Sequence, residues 1–157
     1  MIRNYIRGFL VLGMICCQPV LGSAQSQAFD PLLNPLEQSK AYQVYKTRTH
    51  SELSKLIYLI DRFQTANMKI VYDGIEYQPG FVARMARWFL PSHYHGESAE
   101  KWIMVWCNKS YSFRQLIWVK DSKDNCKLAR EILLDELKQL DAVKVQQAEA
   151  GSQKSAA

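Results

Sequence analysis

Residues 68–89 read MKIVYDGIEYQPGFVARMARWF, and the fold turns on how they are read. Lys69 to Tyr72 and Ile75 to Tyr77 are short strand-like runs, β-branched in the first and aromatic at the end of the second. Asp73-Gly74 stands between them. A type I′ turn needs positive φ at both central residues, so an Asp-Gly pair flanked by strand-like runs predicts a hairpin. Pro79 ends the second run, because it has no N–H to give to a ladder. Pro79-Gly80 then opens a helical pattern in which Phe81, Met85, Trp88 and Phe89 recur on one side, with Arg84 and Arg87 between them. That stripe is expected to face the core. The helix is expected to stop near Pro91.

Upstream of the hairpin, Thr49-His50-Ser51-Glu52 matches a capping box, in which hydroxyl and carboxylate satisfy free backbone donors reciprocally. A helix is expected from there, with Leu53, Leu56, Ile57, Ile60 and Phe63 as its apolar stripe and Asn67 as its C-terminal cap. Residues 37–46 suggest a further short helix, with Ala41, Tyr42 and Tyr45 on one side. Residues 25–48 as a whole read as an extended, proline-punctuated lead.

Downstream, 91–96 (PSHYHG) reads as a loop. Ser98 can cap a helix carrying Glu100 in its first turn, where the helix dipole favours a negative charge. Trp102, Ile103, Val105 and Trp106 carry that helix toward Asn108. Residues 115–120 (QLIWVK) predict a third strand. A last helix is expected over 126–143, buried along Ala129, Leu133, Leu137 and Leu140. Residues 146–157 should be a disordered tail. Helices and strands do not alternate singly, which favours α+β over a doubly wound sheet. The expectation is a small single domain over 49–145, a β-hairpin plus a third strand packed against four or so helices.

The first residues have a different character. Arg3 and Arg7 precede an uncharged apolar run of about ten residues, too short to span a bilayer. Pro19 breaks the run, and Gly22-Ser23-Ala24 offers small residues for cleavage. Residues 1–24 therefore read as a secretory signal peptide cleaved near Ala24, which places the protein in the periplasm or outside the cell, with no transmembrane span in the mature chain. Cys16 and Cys17 at the end of the run raise lipidation, which Ile15 disfavours beside the cleaved bond. The net charge is +5 for the full chain; without Arg3 and Arg7, eighteen basic residues face fifteen acidic ones, a net +3. Such mild basicity, in that compartment, argues against a nucleic-acid partner.

In an oxidising envelope the two remaining cysteines, Cys107 and Cys126, are candidates for one disulfide, the alternative being two free thiols. A bridge would close a loop of about twenty residues and stabilise by roughly 3 kcal/mol.

Catalytic patterns are sparse. His93, His95 and Glu97 form the one metal-like cluster, since His-x-His can aim two imidazoles to one side of an extended segment. Against it stands a plain polar loop, without the second His pair or Cys cluster that makes such signals specific. No G-x-S-x-G elbow or glycine-rich phosphate loop occurs. Asp135 and Glu136 are adjacent on a helix, do not face each other, and read as a solvated face. Arg84, Arg87, Trp88, Trp102, Trp106, Arg114 and Trp118 can line a glycan groove, form a protein hot spot, or be core aromatics with surface arginines.

Over 52–140 the chain resembles a family of small secreted bacterial proteins known as a domain of unknown function. The resemblance rests on the helix from Leu53 to Phe63, the strand and turn Ile70-Val71-Tyr72-Asp73-Gly74, Tyr77 with the helix around Ala83, Ser98-Ala99-Glu100-Lys101-Trp102-Ile103, and a serine-containing turn before a strand and a Leu-rich helix. The chain departs from that pattern at Tyr72-Asp73-Gly74, where the family has Arg-Asn-Gly. It departs again at Met85-Ala86, where the family has His-Leu, and in keeping only Ser110 and Ser112 of a serine-rich turn. The resemblance implies a secreted compact domain and carries over no catalytic residues.

These readings lead to a non-enzymatic interaction or assembly module of the cell envelope, with an envelope protein as partner and no cofactor. The alternatives are a small metal-dependent hydrolase using His93, His95 and Glu97, and a cell-wall glycan binder.

Overall fold

The Asp73-Gly74 turn forms as its chemistry demands, with φ of 52° at Asp73 and 78° at Gly74. A β-carbon at Gly74 would meet no atom within 4 Å, so the glycine is needed for its backbone angle and not for space. The turn joins β1 (Lys69–Tyr72) to β2 (Ile75–Tyr77) in antiparallel register, Ile70 opposite Tyr77 and Tyr72 opposite Ile75. The protein is represented here by a computed structural model that describes residues 33–154. The signal peptide over 1–24, the first part of the lead and the last three tail residues lie outside the described residues.

Among the described residues there are five α-helices and one four-stranded sheet, ordered β2-β1-β3-β4 and antiparallel throughout. The protein is α+β. The strand expected over 115–120 is shorter, β3 (Trp118–Lys120), and is preceded by an isolated pairing of Lys109 with Leu116. A fourth strand, β4 (Cys126–Leu128), stands where the last helix was expected to begin. Asp121 makes it: its Oδ1 accepts from the backbone N–H groups of Lys123 at 2.8 Å and Asn125 at 2.9 Å, and Asp124 turns the chain at φ 61°. The loop is thus a hairpin turn. Three residues of strand are too few to show a period in sequence.

The pleat sorts the sheet into two faces. Ile70 and Val119 are opposite each other and buried. The other face carries an ion-pair ladder, in which Glu76 receives Lys69 Nζ at 2.9 Å and Lys120 Nζ at 2.6 Å. Hydrogen bonds from Lys120 and then Lys69 lower the Glu76 pKa to about 2.

Helix α2 (Glu52–Phe63) starts two residues later than the Thr49 box predicts into it. Ser51 is its N-cap: Ser51 Oγ accepts from Ser54 N–H at 3.2 Å, and Ser54 Oγ accepts from Ser51 N–H at 2.9 Å. The two serines complete the box themselves and release Glu52, whose carboxylate caps another helix instead, accepting from Ala99 N–H at 2.8 Å. The C-cap is Gln64, not Asn67.

The packed unit begins earlier than 49. A 3-10 turn (Leu36–Gln38) and helix α1 (Lys40–Lys46, capped by Ser39) bring Leu36, Ala41, Tyr42 and Tyr45 into the core. The predicted short helix is present, but it is not a free lead.

Helix α3 (Pro79–His93) takes Pro79 at its first turn, where the missing N–H costs nothing. It continues through Pro91, past the expected stop. Its last carbonyls find other donors: Phe89 O accepts from Ser92 Oγ at 3.0 Å, Leu90 O from Tyr94 N–H at 3.0 Å, and His93 O from Trp102 Nε1 at 3.2 Å. Helix α4 (Ala99–Trp106) begins at the expected Ser98 cap. Helix α5 (Ala129–Lys154) runs beyond 143 into the expected tail. Residues 144–150 are Lys, Val, Gln, Gln, Ala, Glu and Ala, mostly good helix formers.

Helices α2 and α5 meet around two buried charges. Arg62 Nε lies 2.8 Å from Glu136 Oε1, and the Tyr58 hydroxyl donates to the same oxygen. Arg62 also donates to the carbonyl of Asn34, tying the start of the described chain to the core. Burial, and then the Glu136 carboxylate, push the Tyr58 phenol far above its ordinary range. The reading of Glu136 as solvated is overturned: it falls on the same stripe as Leu133, Leu137 and Leu140, and its partners wait across the interface.

Candidate site: an apolar cleft

Of the stripe that the sequence assigns to the core, helix α3 packs only Phe89 against it and leaves Phe81, Met85 and Trp88 open. Its buried residues are Pro79, Ala83 and Leu90. Phe81, Met85 and Trp88 are 43%, 50% and 75% exposed. They form one wall of a cleft of about 500 Å³, whose other wall is Val105 and Trp106 of α4. Leu56, Phe63, Met68, Ile70 and Val119 floor it, from α2 and the buried face of the sheet. Leu133 of α5 and the loop between α4 and β3, with Lys109, Tyr111 and Arg114, complete it.

Behind Trp106 lies a packed aromatic cluster. Phe89 stands edge-on to Trp106 at 5.2 Å and to Trp102 at 6.4 Å between ring centroids. His93 stacks on Phe89 at 3.5 Å and meets Trp106 edge-on at 4.9 Å. This cluster packs the end of α3 against α4, while the outer side of α3 is left open.

The candidate metal cluster of the alternative reading, His93, His95 and Glu97, is not assembled. The His93 ring is spent on Phe89 and Trp106, and its Nδ1 lies 3.0 Å from Phe89 O and 2.9 Å from Ser92 Oγ. Glu97 turns back on its own loop and accepts from His95 N–H at 2.8 Å. Backbone N–H donors, first its own and then that of His95, lower the Glu97 pKa. Among the described residues no group of three or more His, Cys, Asp or Glu side chains is placed to hold a metal ion.

Cys107 and Cys126 are both free. Cys107 lines the cleft on the buried side of the sheet. Cys126 is opposite Lys120, on the side that carries the ion-pair ladder. Side chains directed to opposite faces do not bridge without backbone movement, and of the two alternatives the structure has two free thiols. Burial pushes the Cys107 thiol up to about 12, which keeps it protonated and unreactive.

Six of the seven aromatic and basic residues singled out in sequence divide three ways, and the seventh, Arg84, lies over the Phe81 ring, 6.0 Å from its centroid. Trp88, Trp106 and Arg114 line the cleft, as does the mostly buried Trp102. Arg87 is occupied by Asp61 at 2.6 Å and Gln64 at 2.7 Å. Trp118 is opposite Val71 and Leu128, on the outer face of the sheet. What the sequence did not point out is Tyr111. Its N–H donates to the Tyr72 hydroxyl at 2.8 Å, which fastens the Lys109–Arg114 loop to the end of β1.

No helix among the described residues is long and apolar enough to cross a membrane. No protein-family model, curated protein or solved structure matches the chain. The cleft therefore has to be read on its own chemistry. Its lining contains no carboxylate, carboxamide or imidazole. Such a lining offers a place to bind apolar matter.

Proposed function

We propose that the protein is a non-enzymatic binding module of the cell envelope, exported on residues 1–24, whose working surface is the apolar cleft between α3 and α4. One observation carries the reading: the stripe Phe81, Met85 and Trp88 occupies one face of a helix and remains open to solvent. Exposing contiguous aromatic and methionine side chains is unfavourable unless something covers them, and Trp and Met are enriched where proteins bind other molecules. A glycan is less well served here, because its hydroxyl groups would lose water and find few hydrogen-bond partners in this lining.

The test is a photo-crosslinking residue at position 85, inside the cleft, and at position 138, on the exposed side of α5, in intact cells of the native host. The binding reading expects a covalent adduct at 85 and none at 138, read as a mass shift of the intact protein. Equal labelling at both positions, or none at either, would remove it. The adduct's mass also shows whether the ligand is a protein or a small molecule.

A further inference from the structure

The cleft has a chemical polarity that narrows its ligand. Its long walls are hydrocarbon and aromatic, and its volume of about 500 Å³ lies within the range of small-molecule sites. Lys109 and Arg114 are its charged lining residues, and both stand on the same loop. That loop is pinned at several points. Ser110 N–H donates to Gln115 O at 2.7 Å, Ile117 N–H to Asn108 O at 3.2 Å, and Tyr111 N–H to the Tyr72 hydroxyl at 2.8 Å. Arg114 is held in the left-handed region at φ 57°. Lys109 and Arg114 are exposed, and neither has a carboxylate within salt-bridge distance among the described residues.

Two exposed cations on one loop of a cleft whose lining contains no carboxylate make a site for negative charge beside a site for hydrocarbon. On the binding-module reading above, we propose that the cleft takes a single-chain amphiphile with an anionic head group. The chain lies among Phe81, Met85, Trp88, Val105 and Leu133, and the carboxylate or phosphate head meets Lys109 and Arg114. Charge-assisted hydrogen bonds to ammonium and guanidinium groups are the strong ones, so head-group charge should set the order of affinity. The complementary test is built into the geometry: reversing the two charges should reverse the order without touching the hydrocarbon walls.

The experiment uses the full chain and three probes that share a twelve-carbon chain: dodecanoate, dodecyl phosphate and dodecyltrimethylammonium. Binding is measured by titration calorimetry below micelle-forming concentrations, with tryptophan emission as a second readout because Trp88 and Trp106 line the site. The expected result is that at least one anion binds about tenfold or more tighter than the cation, the two anionic arms separating a carboxylate site from a phosphate site. A Lys109→Glu/Arg114→Glu variant should lose or invert that order at an unchanged melting temperature, since both side chains are exposed and unpaired. Met85→Glu should weaken all three probes by placing a charge against the chain. Equal affinity for all heads, or an order that the charge-reversal variant leaves intact, overturns the proposal. Absence of binding by every probe also overturns it; a protein adduct at position 85 would then leave the binding-module reading standing, and no adduct there would remove both.

Discussion

Helix α3 and the α2–α5 interface invert each other. On α3, apolar side chains at helical spacing lie open to water. Between α2 and α5, a carboxylate and a guanidinium lie buried. Helices α2 and α3 taken alone both have the periodicity of an ordinary amphipathic helix. The difference comes from what stands opposite. Glu136 meets Arg62 and the Tyr58 hydroxyl, so its desolvation is offset by charge and hydrogen bonding. Phe81, Met85 and Trp88 meet a gap, because α4 carries its bulk in the Trp102 and Trp106 cluster and stops short of them. Burial in this fold follows the partner across the interface more closely than the character of the residue itself.

The comparison is broken most severely by removing one member of the buried pair. Glu136→Ala should cost roughly 3–5 kcal/mol, because Arg62 is left charged and uncompensated in the interior. Denaturant unfolding measures it. A joint Glu136→Leu/Arg62→Met replacement should recover most of the loss, and failure to recover would mean that the tie from Arg62 to Asn34 matters more than the pair.

The hairpin tests whether the frame of the cleft depends on one backbone angle. Gly74→Ala places a β-carbon on a residue at φ 78° with open space around it, so the penalty is conformational, about 1–2 kcal/mol. Gly74→Asn should cost less, because Asn tolerates the left-handed region.

The open wall predicts a near-zero effect on folding. Trp88→Ala, at a side chain 75% exposed, should change stability by no more than about 0.5 kcal/mol. The same change should weaken whatever occupies the cleft. A loss of several kcal/mol on unfolding would show that Trp88 is a core residue in solution.

The smallest effect lies on the outer face of the sheet. Glu76 has its pKa lowered from an ordinary 4.5 to about 2 by Lys120 and Lys69. A carboxylate depressed in the folded state contributes stability that is fully present above the unfolded value and is lost as pH falls from about 4.5 through about 2. Because the group is solvent-exposed, salt should screen most of it. Melting temperature against pH, compared between the parent and Glu76→Gln at low and high salt, reads the difference. Equal acid sensitivity in both proteins would show that the ladder contributes nothing.

What could be read from sequence was local. Asp73-Gly74 demanded its turn, Ser98 capped its helix, and the α+β class followed from the order of the runs. Each depends on backbone geometry within a few residues. The Thr49 cap failed because the helix starts two residues later, where Ser51 and Ser54 cap each other's backbone N–H groups. Strand β4 was hidden in the three residues Cys126 to Leu128, too few for a pattern, and depended on the side chain of Asp121. The stripe on α3 was legible as apolar and misread as buried. Glu136 sat on a legible stripe and was misread as exposed.

By itself, then, the sequence determined the hairpin, the helix starts at proline and serine, and the periodic faces of the helices. The tertiary structure alone decided which of those faces found a partner. It buried Glu136 against Arg62, set Cys107 and Cys126 on opposite sides of a sheet, drew His93 into an aromatic stack, and left Phe81, Met85 and Trp88 along an open cleft. The physical reason is that a turn or a cap is satisfied by neighbours in the chain, whereas desolvation is settled only by atoms that arrive from elsewhere in it.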